Sequence, residues 1–154
     1  MAARVWLANA QDLETVSSLV GAFRDWWGKD EPSGNQIRET VGVLLEDPAT
    51  DFLLAARGEG AAEGVCQLRY RLSVWTGVDD CWLEDLYVED QARRYGLGRA
   101  LVRAALERAE ARGCRRIELD VNEENTKAIA FYEGLGFTAE PKPPGRTLFL
   151  ARRL

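Results

Sequence analysis

The chain has 154 residues, of which 46% are hydrophobic and 29% charged, and its formal net charge is -5. These proportions are typical of a soluble globular domain with one core, so we expect a single domain over residues 1–154. The acidic balance argues against a protein that binds nucleic acid by neutralising phosphates. The sequence contains no histidine, which excludes Ser-His-Asp hydrolysis, histidine-ligated zinc and a histidine general base.

The cysteines and the amino terminus indicate the compartment. Cys66, Cys81 and Cys114 are an odd number without CxxC spacing, so we expect buried free thiols rather than disulfides or a metal site. The first residues lack the apolar run of a signal peptide, and no stretch approaches the ~20 apolar residues that span a bilayer. These features predict a cytoplasmic protein without metal ions or membrane contacts.

In the first half of the chain, a short strand is followed by two helices and then by further strands. The first strand is predicted over 4–8, Asn9 caps the first helix, and Ser33 caps a second helix that Pro48 ends. Alternating apolar residues and short turns then predict an antiparallel meander. Its strands are predicted over 52–56, 66–72 and 81–88.

The second half places helices between strands. A strand, helix and strand that follow a meander predict an α+β fold with a mixed sheet. The predicted elements are a helix over 96–112, a strand over 115–121, a helix from Asn125 to Gly136, and strands over 137–140 and 147–154. The last strand alternates apolar residues as an exposed sheet edge does, so we expect a homodimer.

The clearest chemical signal lies between Trp82 and Gly98, where a strand leads through a turn into a helix. The N-terminus of a helix presents unpaired backbone N–H groups and the positive end of the helix dipole. Gly96 and Gly98 would let the backbone approach an anion closely, and Arg93 and Arg94 would add charge-assisted donors. The segment therefore predicts a site for phosphate or pyrophosphate.

Two common phosphate-binding motifs do not fit this segment. Leu101 stands where G-x-G-x-x-G requires its third glycine, and the Gly-Lys-Ser/Thr of a Walker A loop is missing. From the local sequence alone, a glycine-rich turn with solvated arginines remains an alternative.

The run Arg93-Arg94-Tyr95-Gly96-Leu97-Gly98 resembles the [Gln/Arg]-x-x-Gly-x-[Gly/Ala] signature of the GNAT N-acetyltransferase superfamily. A second block resembles that superfamily's Asn-x-x-Ala-x-x-x-Tyr-x-x-x-Gly-Phe pattern through Asn125, Ala128, Tyr132, Gly136 and Phe137. The strand from Leu83 to Val88 is similar to its central cofactor-binding strand, most closely to that of diamine and polyamine acetyltransferases. The resemblance implies a three-layer α+β fold with about seven strands in a mostly antiparallel mixed sheet and about four helices.

The resemblance also implies transfer of an acetyl group from acetyl-CoA to an amine. The pantetheine arm would pair with the central strand at Leu86 and Val88, and the Val88 N–H would stabilise the oxyanion. The other cofactor-binding residues that it implies are Arg93, Arg94, Tyr95, Gly96, Leu97, Gly98, Arg99 and Asn125.

Two catalytic residues follow from the same resemblance. Glu84 is the expected general base for the amine, and Tyr132 is the expected general acid for the CoA thiolate. Alternatives stay open, since Glu84 could merely attract a cationic amine, Tyr132 could be a packed aromatic, and Asn125 could be only a helix cap. Strand alternation predicts that Asp85 points to the face opposite Glu84.

Acidic and aromatic residues suggest a cationic acceptor through Coulomb and cation–π attraction. They are Asp30, Glu31, Asp79, Asp80, Glu84 and Asp85, with Trp26, Trp27, Trp75 and Trp82. We therefore expect a small-molecule amine such as a polyamine, an amino-acid derivative or an aminoglycoside. The alternatives are acetylation of a protein lysine or N-terminal amine, and a non-catalytic acyl-CoA-binding module.

Overall fold

The computed structural model describes residues 2–139, 145 and 148–154. In this part of the chain there are five strands: β1 (Ala3–Leu7), β2 (Thr50–Arg57), β3 (Gly64–Leu72), β4 (Asp79–Val88) and β5 (Ile117–Glu118). The α-helices there are α1 (Leu13–Trp26), α2 (Gly34–Glu46), α3 (Leu97–Ala111) and α4 (Thr126–Glu133). The α+β class predicted from the sequence is confirmed.

The strands form one sheet in the order β1-β2-β3-β4-β5. The pairs from β1 to β4 are antiparallel, as the meander predicts, whereas β5 runs parallel to β4. Helix α3 connects these two parallel strands. The sheet is therefore mixed, and β4, the strand between β3 and β5, leads through a short turn to the N-terminus of α3.

Each face of the sheet packs against different helices. On the α1/α2 face, Phe52, Leu54, Val65 and Tyr87 form a buried cluster with residues of α1 and α2. The opposite, α3 face carries Cys66 and Leu68 of β3, and α3 packs across it with a stripe of buried residues. That stripe comprises Leu97, Leu101, Val102, Ala105 and Ala109. Burial of such side chains contributes about 1.5–3 kcal/mol for each large one.

The predicted helix caps are present. The Asn9 side chain accepts a hydrogen bond from the Gln11 N–H at 2.8 Å and opens a short 3-10 helix, Ala10–Asp12, that leads into α1. The Ser33 hydroxyl accepts from the Gln36 N–H at 3.2 Å and caps α2, which ends at Glu46 before Pro48. These short-range bonds satisfy backbone donors that have no partner inside the helix.

The strand count and the carboxyl-terminal strands are corrected. The described part of the sheet has five strands rather than about seven, and residues 137–139 and 148–154 adopt no strand. Glu140 and Thr147, which belong to the two predicted strands, lie outside the described residues. Leu148, Phe149 and Leu150 are 71%, 84% and 90% exposed. Alternation in sequence marks a possible buried face, but a strand also needs a neighbour to pair with and a core to cover.

Strand β5 is also shorter than the strand that the sequence predicts. Only Ile117–Glu118 pairs with β4, although alternation predicts a strand over 115–121.

The predicted free thiols are confirmed, with Cys66 and Cys81 buried and Cys114 partly buried. Burial raises the pKa of Cys81 to about 12, so this thiol stays protonated.

The chain divides into two compact units, the first ending at Asp120 and the second beginning at Val121. The first unit contains the sheet with α1, α2 and α3, and the second contains α4. None of the helices described is both long and apolar enough to cross a membrane. The extent of the domain, residues 1–154, stays a prediction.

Candidate active site

A β-bulge interrupts β4 at Glu84. Leu68 of β3 pairs with Leu83, and the next residue back, Gln67, pairs with Asp85, so Glu84 is one extra residue in β4. In a bulge of this kind, two residues of one strand stand opposite a single residue of its neighbour. Glu84 and Asp85 therefore both stand opposite Gln67.

The bulge places the two carboxylates on the same face of the sheet. Alternation from Leu83 assigns Glu84 to the α1/α2 face, and pairing with Gln67 assigns Asp85 to that face as well. The expectation that Asp85 points to the face opposite Glu84 is therefore wrong. The extra residue breaks the period of two, and no residue type in the sequence marks where a bulge falls.

The two carboxylates differ in their surroundings. Glu84 is exposed, whereas Asp85 is half-buried. Burial raises the pKa of Asp85, and the charges of Glu84 and Asp120 raise it further. A pair of carboxylates on one face, with one pKa raised, is an arrangement suited to proton transfer and to the binding of a cation.

Beyond the bulge, β4 has an open edge. β5 pairs with β4 only at Cys81 and Trp82, so within the described chain the edge from Leu83 to Val88 has no strand beside it. The Glu89 N–H donates to the Glu63 carbonyl at 2.9 Å. Because antiparallel pairs alternate between bonded and non-bonded, the peptide groups of Leu86 and Val88 face the open edge. An extended ligand can pair there.

The turn after β4 leads into the N-terminus of α3. A short 3-10 helix, Asp90–Ala92, is followed by Gly96, which is the N-cap of α3 and adopts a left-handed conformation with φ of +80°. No side chain caps this helix. Arg94 is also left-handed, with φ of 72°, a conformation that costs a residue other than glycine roughly 1–2 kcal/mol. The first N–H groups of α3 and its dipole attract an anion to this turn.

Arg93 connects the turn to two neighbouring elements. Its Nε donates to the Val88 carbonyl at 2.9 Å, and its Nη1 forms an ion pair with Asp90 at 2.8 Å. Its guanidinium lies 5.5 Å from the centre of the Trp26 ring and 6.0 Å from that of Tyr87. The side chain thus lies between the open edge of β4 and the end of α1.

A second arginine holds the turn from the β2 side. The Arg57 guanidinium lies 4.7 Å from the centre of the Tyr95 ring. It also donates from Nε to Glu63 at 2.8 Å, and this carboxylate raises the pKa of Arg57. Sequence reasoning missed Arg57 and Glu63, although their opposite charges flank the predicted turn between β2 and β3.

An aromatic cluster lies where α1 ends. Phe23 stacks on Tyr87 of β4 with ring centres 5.3 Å apart, and Trp26 and Trp27 lie within 6.1 Å of Phe23. We call these four residues the α1 aromatic cluster. Trp26 and Trp27 are 48% and 57% exposed. Tyr87 shares the α1/α2 face with the carboxylate pair, so aromatic rings and carboxylates lie on the same side of β4.

Trp75 and Asp79, two of the predicted acidic and aromatic residues, do not join this group. Trp75 is 93% exposed in the turn between β3 and β4, and Asp79 forms an ion pair with Arg112 at 2.9 Å. Asp79 is five residues from Glu84 along β4, a separation of about 17 Å at the usual rise of a strand. Asp79 is therefore separate from the carboxylate pair.

The remaining predicted site residues belong to the second unit. Asn125 caps α4, since its side chain accepts from the Ala128 N–H at 3.2 Å. Tyr132 is half-buried, and its ring packs edge to face on Phe131 and Phe137 with ring centres 5.1 and 5.6 Å apart. The cap and the packing are thus observed, and the catalytic and cofactor roles of these two residues stay predictions.

Residues 16–137 match a family model described as the acetyltransferase (GNAT) family. The chain belongs to this family. The resemblance drawn from the Arg93–Gly98 run and the Asn125–Phe137 block is confirmed. Among solved structures, a putative acetyltransferase from Arthrobacter sp. FB24 superposes with a TM-score of 0.86 at 31% identity, covering 98% of this chain and 96% of that one.

Curated relatives of this GNAT chain include enzymes with different acceptors in their names. A mycothiol acetyltransferase of Beutenbergia cavernae is 39% identical over 105 residues, which are 66% of this chain and 33% of the relative. A ribosomal protein bS18-alanine N-acetyltransferase of Escherichia coli K12 is 34% identical over 87 residues, 56% of this chain and 53% of the relative. The chain thus matches about a third and about half of the length of these two proteins.

Proposed function

We propose that the protein transfers the acetyl group of acetyl-CoA to a primary amine of a small molecule. The observation that carries the proposal is the construction of β4, which joins an open edge to a pair of carboxylates. Leu86 and Val88 present their peptide groups at this edge, and Glu84 and Asp85 stand together at the bulge just before it. One strand therefore offers groups for the acetyl donor and for the amine.

The donor would lie along β4 and end at the start of α3. Its pantetheine amides would pair with the peptide groups of Leu86 and Val88, and the Val88 N–H would donate to the thioester oxygen as it becomes an oxyanion. The backbone N–H groups from Arg94 to Arg99 and the helix dipole would bind the pyrophosphate. Tyr95, Gly96, Leu97 and Gly98 supply the backbone of that site.

The amine must be neutral before it attacks, because a primary amine has a pKa near ~10.4 in water. Glu84, the exposed member of the pair, accepts this proton, and Asp85 beside it favours binding of the cationic form. The amine nitrogen then bonds to the acetyl carbon, the carbon–sulfur bond breaks, and the nitrogen loses its second proton to solvent, from which the Tyr132 phenolate is later reprotonated. Tyr132 donates its phenolic proton to the CoA sulfur, which leaves as the thiol.

The acceptor class follows from the α1/α2 face. The α1 aromatic cluster and the carboxylate pair on that face suit a cationic amine such as a polyamine, an amino-acid derivative or an aminoglycoside. Similarity to the ribosomal protein bS18-alanine acetyltransferase favours a protein N-terminal amine as the second candidate. Release of free thiol from acetyl-CoA, measured with an amine panel and with peptides, separates the two.

Substitution of the two carboxylates tests the base. We expect Glu84→Gln to lower kcat and to abolish the acidic limb in the pH profile of kcat/KM for the amine, because the amide cannot accept the proton. Asp85→Asn is the matched control. It should raise the KM of a cationic amine and keep the acidic limb, because it removes a nearby charge without removing the base.

The opposite result would exchange the roles of general base and nearby charge between Glu84 and Asp85. If Asp85→Asn removes the acidic limb while Glu84→Gln only shifts it to lower pH, Asp85 is the base and its pKa had been raised by Glu84. If acetyl-CoA binds in calorimetry but neither amines nor peptides are acetylated, the protein is a non-catalytic acyl-CoA-binding module.

Tyr132→Phe tests the general acid. Loss of the hydroxyl should lower kcat by about 10²- to 10⁴-fold, the usual contribution of general acid–base catalysis. The KM of acetyl-CoA should change little, because phenylalanine keeps the ring packing on Phe131 and Phe137. Wild-type kcat in a variant whose chemical step limits turnover would remove Tyr132 from the mechanism.

A further inference from the structure

The side chain of Arg93 is directed towards protein groups. Its Nε donates to the Val88 carbonyl at 2.9 Å, its Nη1 pairs with Asp90 at 2.8 Å, and its guanidinium lies 5.5 and 6.0 Å from the ring centres of Trp26 and Tyr87. A guanidinium can donate five hydrogen bonds in one plane, and such a fixed fork orients whatever it holds.

We propose that Arg93 is a positioning residue that joins the open edge of β4 to the α1 aromatic cluster, and that it is not a ligand of the pyrophosphate. The proposal rests on the proposed function, because it assigns the two groups that Arg93 joins to the acetyl donor and to the amine.

At the open edge, Arg93 fixes one peptide group from the outer side. The Val88–Glu89 peptide group accepts from Arg93 through its oxygen, and it donates through the Glu89 N–H to the Glu63 carbonyl at 2.9 Å. A peptide group is planar, so two bonds in opposite directions set its orientation. The Val88 N–H, which would stabilise the oxyanion, belongs to the preceding peptide group, so Arg93 restrains it only through the Val88 Cα that joins the two groups.

The same bond also limits how a ligand can pair with β4. Because the Val88 carbonyl is already occupied by Arg93, the groups left at the edge after the bulge are the N–H and carbonyl of Leu86 and the N–H of Val88. An extended ligand therefore ends its pairing at the Val88 N–H.

On the amine side, Arg93 holds an aromatic surface. Its guanidinium lies 5.5 Å from the centre of the Trp26 ring, a distance at which a cation and an aromatic face attract each other. Trp26 is half exposed, so this contact restricts a ring that the solvent would otherwise let move. Removal of Arg93 should therefore disturb both the oxyanion donor and the surface for the amine, and leave the phosphate-binding backbone intact.

The test compares Arg93→Gln with Arg94→Gln, a neighbouring arginine in the same turn. We expect Arg93→Gln to lower kcat/KM for the amine by about 10- to 100-fold, the scale of a small misplacement of reacting groups. Its Kd for acetyl-CoA in calorimetry, and the salt dependence of that Kd, should stay as in the wild type. Arg94→Gln should weaken acetyl-CoA binding and flatten the salt dependence, since a screened charge is lost.

The reverse pattern overturns the proposal. If Arg93→Gln weakens acetyl-CoA binding and flattens its salt dependence as Arg94→Gln does, Arg93 binds phosphate. Arg93→Lys adds a second criterion, because lysine keeps the charge and loses the planar fork. Continued loss of kcat/KM in Arg93→Lys supports the positioning role, and full recovery of kcat/KM contradicts it.

A double-mutant cycle tests the connection to Trp26. Trp26→Leu should lower kcat/KM in the wild type and cause little further loss in Arg93→Gln, because the two residues act through one contact. Independent, additive losses would show that Arg93 does not act through Trp26.

Failure of this inference can be told from failure of the proposed function. The wild-type protein is measured in the same assay, and if it acetylates no amine or peptide, the proposed function fails. The acetyl-CoA calorimetry then still decides the role of Arg93. Unchanged affinity and salt dependence in Arg93→Gln support the positioning role, and a loss of both overturns it.

Discussion

Glu84 and Asp85 stand side by side on one face because β4 contains one extra residue. Two adjacent carboxylates repel each other, and Asp85 is also half-buried, so the fold disfavours its ionised form. A protein selected only for stability would gain from a neutral residue at this position. The pair therefore has the character of a site in which stability has been exchanged for chemistry.

The raised pKa of Asp85 predicts that replacing this residue increases the stability of the fold by an amount that depends on pH. A carboxyl whose pKa is higher in the folded than in the unfolded protein binds its proton more tightly when folded. Stability therefore falls as the pH rises from the ordinary value, about 3.9, through the folded one. We expect Asp85→Asn to be more stable than the wild type at pH 7, and the gain to vanish at a pH below both values. Urea unfolding at each pH measures it.

Asp47→Asn serves as the control with the opposite sign. Asp47 accepts the Ala49 N–H at 2.9 Å and the Thr50 hydroxyl at 3.1 Å, and the bond from Ala49 lowers the pKa of Asp47. Its stabilising effect is present above the unfolded value and is lost as the pH falls through the folded one. Asp47→Asn should therefore be less stable at pH 7. Equal changes in both variants would contradict the cause given for Asp85.

Helix α3 is the element that connects the turn after β4 to the core. Its Leu101 side chain packs so closely on β3 that a Cβ at Gly64 would lie 3.1 Å from Leu101 Cδ1. At its far end, Arg108 donates to Asp51 at 2.7 Å, and the same carboxylate oxygen accepts from the Tyr70 hydroxyl at 2.7 Å. Contacts along its length thus fix the position of its N-terminus relative to β4.

The two ends of α3 provide a matched pair of glycines for testing whether the turn after β4 binds phosphate. Gly96 and Gly113 have φ of +80° and +89°, and a Cβ at either would meet nothing within 4 Å. Replacement by aspartate should strain both by about 1–2 kcal/mol. We expect only Gly96→Asp to abolish acetyl-CoA binding in calorimetry, because its charge would oppose the pyrophosphate at the N-terminus of α3.

Gly113→Asp controls for folding. It places the same charge at the negative end of the helix dipole, where it costs at least as much stability as at the N-terminus. Retained acetyl-CoA affinity in a folded Gly96→Asp protein would show that the turn is merely structural.

Helices and their ends were predictable because their signals are local. Asn9 and Ser33 accept from N–H groups two or three residues away, and apolar spacing along α3 predicts its buried side. The bulge at Glu84 could not be predicted in this way. It depends on the register with β3, seventeen residues away at Gln67, and the residues of β4 alone do not determine that register.

At the scale of the whole molecule, the meander and the parallel strand after α3 were predictable from the order of elements, since such connections allow few topologies. The length of β5, and whether the carboxyl-terminal residues form a strand, could not be predicted, because both depend on which neighbouring strand is available for pairing. The same holds for the approach of Arg93 to Trp26, which are 67 positions apart. The homodimer stays a prediction, and the exposed Leu148, Phe149 and Leu150 keep it worth measuring.

The open edge of β4 has a further consequence for how copies of the protein meet each other. An unpaired strand edge is a template on which another chain can add a strand, and such addition leads to aggregation. Here the bulge at Glu84 twists the strand at one side, and Arg93 occupies the carbonyl of Val88 at the other. The usable stretch between them is far shorter than a usual strand of about five or six residues. Within this stretch, a slender ligand with two amides finds partners, while a neighbouring chain finds too few to stay attached.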